Sequence, residues 1–247
     1  MYKTVILLVS LSSCTFGLNL PATFKQCKRD GNINACMKEA IQDALPKIHN
    51  GIPEFNIPVL EPLEVTSITI GEGKSAVNVV QNYKNAKLYG LLVGGTIDNV
   101  ELKLDGSSSD WIMEGIIPEV KIIADYEFNG KVLLLPIVGS GNSETVFKNV
   151  KFRLEMHGEA SQKNGAEYGA VTKATMTLLP EHITFNFENL FNGDATLGSQ
   201  MNQVLNDNWK EVWEDVRGGY EEALGQIIQN VVNKLIRKIP TDQLFPL

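Results

Sequence analysis

Three histidines, at positions 49, 157 and 182, are the first place to look for acid–base chemistry, because imidazole is the side chain whose ordinary pKa lies near neutrality. His157 closes an alternating segment and His182 follows Glu181. No Gly-x-Ser-x-Gly elbow accompanies them, so they read as surface imidazoles rather than as members of a hydrolytic triad. Asp105 with Asp110, and Glu114 with Glu119, are the residue type that cleaves glycosides, a reaction that needs two carboxyls facing each other across a cleft. Around the hairpin-like GSSSD stretch they read as loop charges. GEGKSA ends like a phosphate-binding loop, yet the glycine required five positions before Gly73 is Ile68. GSGNSE lacks the third glycine of a dinucleotide fingerprint, and both segments read as turns. No catalytic residue and no cofactor is expected.

Cys14, Cys27 and Cys36 are the thiols of the chain. Residues 1–17, MYKTVILLVSLSSCTFG, have a basic start at Lys3, an apolar run from Val5 to Leu11 and small residues before Gly17, the pattern of a signal peptide. The stretch Leu11-Ser12-Ser13-Cys14 also fits a lipoprotein cleavage box that would lipidate Cys14. A secreted chain then keeps Cys27 and Cys36, which suggest one bridge closing a hydrophilic loop of about ten residues; the chain-entropy account values it at roughly 2.5 to 3 kcal/mol. Two thiolates without a histidine pair are too few ligands for zinc, so no metal is expected.

With 247 residues, of which 43% are hydrophobic, the chain is long enough to bury a large core. Residues 18–247 read as a single domain. The formal net charge of -7 argues against nucleic acid, whose phosphates need a basic face. No segment beyond the leader reaches the ~18 uninterrupted apolar residues of a spanning helix, so no stable membrane insertion is expected.

What the elements must position is an apolar interior. INACMKEAIQDALPKIHNGIP predicts a helix with Pro46 bending its last turn and Gly51 as its stop, followed by an extended connector broken by Pro53, Pro58 and Pro62. From about residue 64 to 188 the period is two. Val150, Phe152, Leu154 and Met156 share one strand face, and Val120, Ile122, Ala124, Tyr126 and Phe128 share another, with Asn129-Gly130 and Asn164-Gly165 as hairpin turns. Tyr168, Ala170, Thr172, Ala174 and Met176 form a third face, and Ile183, Phe185 and Phe187 a fourth. The pattern predicts seven or eight antiparallel strands in a meander. From Leu197 to Ile239 the period returns to that of a helix, one long element that Gly218-Gly219 should kink or interrupt. The simplest burial for its stripe is the same molecule's sheet. The fold class is therefore α+β, a long C-terminal helix wrapped by a highly curved antiparallel sheet, with an elongated apolar cavity where small inward residues leave space.

The candidate lining is Tyr126, Phe128, Phe152, Leu154, Met156, Tyr168, Thr172, Met176, Phe185 and Phe187 from the strands, with Gln200 and Val204 from the helix. Tyr126, Tyr168, Thr172 and Gln200 are the groups that would orient a ligand or else satisfy core hydrogen bonds. Trp111, Trp209 and Trp213 would stack on a ligand or pack as core. Replacing Phe152 or Phe185 by Asp is expected to abolish binding.

The segments FNGDATLGSQMNQVLNDNWKEVWEDV, from Phe191, and KIPTDQLFP resemble the carboxyl-terminal signature of the insect takeout and haemolymph juvenile hormone-binding protein family. Cys27 and Cys36, nine positions apart and followed by NGIPEFNIPVLEPLEV, resemble its amino-terminal signature. The resemblance runs from about residue 20 to the end. It implies a tubular fold in which a curved sheet wraps a long helix around a hydrophobic tunnel. It also implies a secreted, monomeric carrier whose partners are a small hydrophobic ligand and a receptor or acceptor protein. One cysteine pair instead of two is closer to the takeout branch, and Gly218-Gly219 stands where family helices often break at a proline. The family's hormone-contacting residues lie outside these signatures.

Overall fold

A computed structural model describes residues 18–247; the expected leader at 1–17, with Cys14, lies outside them. Helix α1, Ile33–Ala44, ends in a 3-10 turn over Leu45–Lys47 at Pro46, and Gly51 takes the left-handed conformation that ends the segment. A disulfide joins Cys27 to Cys36 and so ties the segment before α1 to its second turn.

The strands are β1 Leu63–Ile70, β2 Val77–Asn78, β3 Gln81–Tyr89, β4 Thr96–Asp105, β5 Ser108–Val132, β6 Leu135–Lys163, β7 Ala166–Leu179 and β8 His182–Phe187. All pairings are antiparallel. Strands β5 and β6, with 25 and 29 residues, far exceed the usual 3–10, and they pair along their whole length as a spine. The short strands lie end to end along its two flanks. On β5 they are β4, then β3, then β2; on β6 they are β7, then β8; β1 lies outside β3. Register shifts at Lys84/Lys87, Ile97/Asn99 and His157/Gly158 bend the sheet, since each bulge adds local twist.

The hairpin between β5 and β6 does not turn at Asn129-Gly130, as the sequence suggests. Val132 pairs with Leu135, and the two-residue loop is Leu133-Leu134, with φ of 50° and 67°. Gly130 stays in the strand because β2 crosses it closely: a β-carbon there would stand 2.3 Å from the Asn78 carbonyl oxygen. Its glycine serves packing, not turning. Asn164-Gly165 does form the next turn, at φ of 52° and 79°. A left-handed L-residue costs about 1 to 2 kcal/mol, and Asn-Gly is the preferred pair for such a loop. The double substitution Leu133→Asn/Leu134→Gly is therefore expected to raise stability by about 1 to 2 kcal/mol, read as a higher midpoint in thermal and urea unfolding.

Helix α2, Ala195–Asp207, is capped by Asp194, which accepts from the Thr196 and Leu197 amides. Helix α3, Trp209–Ile236, follows at once, and α4, Thr241–Leu244, ends the chain. The interruption expected at Gly218-Gly219 falls instead at Asn208, whose side chain donates to the Val204 carbonyl at 2.8 Å. Gly219, and Gly225 farther along, permit close approach: a β-carbon on Gly219 would stand 2.7 Å from Ile70 Cγ2, and one on Gly225 would stand 3.0 Å from the Ala174 carbonyl oxygen. Helix α3 thus touches β1 at one margin of the sheet and β7 at the other. The sheet is closed around it.

Side-chain amides seal the strand margins. Asn206 accepts from the Phe185 amide at 2.7 Å and donates to the Phe185 carbonyl at 2.9 Å, and Asn202 does the same to Phe187 at 2.9 Å each. Asn233 brackets Val171 in the same way, at 2.8 and 2.9 Å. On the opposite flank, Gln42 of α1 accepts from the Ile97 amide at 2.7 Å and donates to the Gly95 carbonyl, while Asn34 accepts from the Leu102 amide. Backbone groups that would template another strand are consumed.

The loop GEGKSA is also explained by α3. Asp215 accepts from the backbone amides of Lys74, Ser75 and Val77 and from the Ser75 hydroxyl. Burial alone would raise its pKa, but these donors together hold the carboxyl below the usual aspartate range. A group with a depressed folded-state pKa stabilises above its unfolded pKa of about 3.9, and that contribution is lost as pH falls through the folded value. Asp215→Asn is expected to destabilise at pH 7 by about 1.5 to 3 kcal/mol, the scale of a charged hydrogen bond. The gap from the parent should shrink below pH 4, as chemical denaturation across pH would show.

Candidate ligand-binding cavity

Between the concave sheet, α1 and α3 lies a cavity of about 420 Å³. Its sheet wall is built by inward side chains on three adjacent strands, including Met113 and Ile117 on β5, Phe152, Leu154 and Met156 on β6, and Met176 and Leu178 on β7. Leu224, Ile228, Val231 and Leu235 bring the apolar stripe of α3 against it, and Met37, Ile41 and Ile48 close it from the α1 side. Apolar strand faces and the helix stripe meet here without filling the space between them, which is the condition for a dry internal void.

One end of the cavity is walled by Phe147, Trp213 and Tyr220. The first two rings stand edge to face at 5.5 Å. The Tyr220 hydroxyl lies 3.0 Å from that of Tyr83, and both reach Gln81 Oε1, at 3.0 and 3.1 Å. Burial pushes the Tyr220 phenol up to about 12, and burial, with Tyr220 beside it, raises Tyr83 well above its ordinary value. Both stay neutral at physiological pH and act as hydrogen-bonding walls.

Of the twelve residues expected to line a tunnel, the structure brings Phe152, Leu154, Met156 and Met176 to the cavity. Tyr126, Phe128 and Phe187 lie elsewhere, in a solid aromatic cluster with centroid separations of 4.7, 4.9 and 5.1 Å, onto which Phe185 stacks at 6.3 Å from Phe187. The Tyr126 hydroxyl donates to the Glu188 carbonyl at 2.6 Å. Phe185→Asp therefore reads folding, not binding. Thr172 is the extra residue of the bulge opposite His157/Gly158, so it faces out, and its hydroxyl donates to the His157 carbonyl. Tyr168 is half-buried near the start of β7, Val204 is half-buried on α2 and Gln200 is exposed; none of the three lines the cavity.

Period-two reasoning overlooked the contributions of α1 and of the chain end, where Leu244 and Phe245 join the lining and the Phe245 ring lies 5.6 Å from that of Trp111. The apolar face of α1, with Ile41, Ala44, Leu45 and Ile48 at helical spacing, was the available signal. Trp111 and Trp213 line the cavity, whereas Trp209 packs against His182.

The acid–base candidates stand apart from this interior. His157 pairs with Asp110 at 2.7 Å on the exposed face of the sheet. Glu114 is held below the usual carboxylate range by Asn99 and Arg153, and Glu119 by Lys148, again outside. A second concavity, of about 470 Å³, is a shallow polar groove bordered by Lys84, Asp125, Glu127 and Glu188. It offers little apolar surface to a hydrophobic molecule.

The family model described as "Haemolymph juvenile hormone binding protein (JHBP)" matches residues 5–246. The chain belongs to this juvenile hormone binding protein family. Within the family's reach, "Circadian clock-controlled protein daywake" of Drosophila melanogaster is 27% identical over 263 aligned positions, covering 99% of this chain and 96% of that protein. The Drosophila yakuba protein of the same name is 25% identical, covering 91% and 88%. The crystal structure of Takeout 1 from Epiphyas postvittana superimposes with a TM-score of 0.77 at 27% identity, over 90% of this chain and 99% of that one. The takeout-like member expected from the two signatures, and the helix wrapped by a curved antiparallel sheet, are both shown. The family is one of binding proteins, and the interior cavity is the feature that suits such a role.

Proposed function

We propose that this protein is a secreted carrier that holds a small hydrophobic ligand, a juvenile hormone-like terpenoid, a fatty acid or another lipid, in its internal cavity. The observation that carries the reading is the void between α3 and the β5–β7 face, walled almost wholly by hydrocarbon and aromatic surface. Its 420 Å³ falls within the 300–1,000 Å³ usual for ligand pockets. Burial is worth up to ~0.8 kcal/mol per methylene, so a fifteen-carbon chain gains roughly 10 kcal/mol before ordering costs. Micromolar binding then requires no catalytic group. The disulfide, favoured in oxidising compartments, and the haemolymph family support secretion.

Native mass spectrometry of the protein made through a secretory host, followed by solvent extraction, tests this. A bound lipid near one-to-one stoichiometry is the expected result. An empty protein that also refuses terpenoid and fatty-acid probes would overturn the reading and favour a factor that acts through protein contacts alone.

A further inference from the structure

The polar groups on the cavity wall are already engaged. Tyr220 is held by Gln81 and Tyr83, Trp111 Nε1 donates to Ser109 Oγ at 3.3 Å, and Thr96 Oγ1 donates to Asp98 at 3.2 Å. A ligand carrying a polar group deep inside would leave that group unpaired, at a cost of about 1 to 3 kcal/mol. Its polar end belongs at the opening. Among the described residues, Lys25 is the one charged side chain that contributes to the cavity wall, and its side chain is 45% exposed, so it stands where the interior meets solvent. Beside it are Phe24 and the Cys27 end of the disulfide.

The Lys25 ammonium pairs with Glu39 of α1 through one carboxylate oxygen. An ammonium has three donors, so the pair does not exhaust it. The surrounding segment is basic within an acidic protein. From Lys25 to Lys47 it holds five cations and three acids, in a chain whose formal net charge is -7. Such a local excess draws anions towards the rim.

Resting on the carrier reading, we infer that the cargo class is a long-chain carboxylate, bound tail first, with its carboxylate on Lys25 Nζ at the rim. Lys25 thereby sets specificity for anionic over neutral lipids. Lysine suits the role because its apolar stem lies along the cavity wall while the charge stays in water.

The test compares palmitic acid with methyl palmitate on the delipidated full mature chain, by displacement of a bound fluorescent apolar probe. The parent should prefer the acid. Lys25→Ala should weaken palmitate about fivefold, the upper range for an exposed charge pair, and leave the ester unchanged. Lys25→Arg should keep the preference, and Lys25→Glu should reverse it. Glu39→Gln breaks the same ion pair yet leaves the cation, so it should hold or improve palmitate affinity. If acid and ester weaken together in Lys25→Ala, or if neither changes, the inference fails while the carrier reading stands. If a probe binds the parent but neither lipid displaces it, the inference fails; if the parent takes up no apolar probe at all, the carrier reading itself fails.

Discussion

A Met113→Trp/Met156→Trp double variant is expected to lose lipid binding by about a thousandfold while remaining folded. These methionines sit diagonally on β5 and β6, since Met113 pairs with Leu154 and Trp111 with Met156, and both line the void. They are half-buried while their neighbour Leu154 is 1% exposed, so their free surface is turned to the cavity rather than locked in packing. Indoles there occupy the space that cargo needs. Excluding about five methylenes removes roughly 4 kcal/mol, which is close to three orders of magnitude in affinity. Filling an existing void avoids the strain of overpacking a solid core, so thermal stability should stay within about 1.5 kcal/mol of the parent. Unaltered lipid affinity in a folded variant would move the site elsewhere. The neighbouring aromatic cluster supplies the control. Phe187, in contact with both Tyr126 and Phe128, should unfold the protein when changed to Ala, by about 3 to 5 kcal/mol.

The second large effect is expected at the helix asparagines. In Asn202→Leu/Asn206→Leu, the amides and carbonyls of Phe185 and Phe187 lose both partners that now bracket them. Each stranded group costs on the order of 1 kcal/mol or more, and incoming leucine supplies no donor or acceptor. A combined loss of about 3 to 5 kcal/mol is expected, visible in chemical denaturation. Hydrogen exchange should localise it to β8, because the other edge of that strand is still held by β6. The same variant uncovers a strand edge, so a rise in aggregation should accompany the lost stability. Stability within 1 kcal/mol of the parent would show that water replaces these side chains without cost.

Periodicity revealed the class of fold because its two signals were long: a period of two over β5 to β8 and a helical stripe through α2 and α3. The inward faces of β5 and β6 follow from alternation wherever no extra residue intervenes. At Thr172 the alternation fails, since a bulge shifts the parity of β7 and carries this residue outside. Asn206 and Asn208 are polar residues within the long helical stripe, and their types alone do not reveal their roles. In the structure Asn206 brackets a strand edge 21 positions away in sequence, and Asn208 marks the boundary of two helices by bonding back to Val204. Gly130 and Gly219 likewise look like a turn and a break, but the first answers the close approach of the Asn78 backbone and the second that of the Ile70 side chain, which no local pattern encodes. Phe128 and Phe152 point inward from neighbouring strands and are indistinguishable by spacing. Only the position along a 25-residue or 29-residue strand decides which meets solid core and which meets space.

The order in which the chain is made gives the enclosing helix a further significance. Helix α3 begins at Trp209, so the eight strands are synthesised before the element that covers their concave side. Until it arrives, the nascent chain carries a broad greasy surface and unbracketed strand margins, the features that recruit chaperones and invite misassociation. Pairing Ser108 with Glu159 also joins residues far apart in sequence, a topology that folds slowly. A chain stopped before Trp209 should accordingly aggregate during biogenesis, and hydrophobic cargo present at that stage should act as a folding template whose departure leaves the finished shell standing.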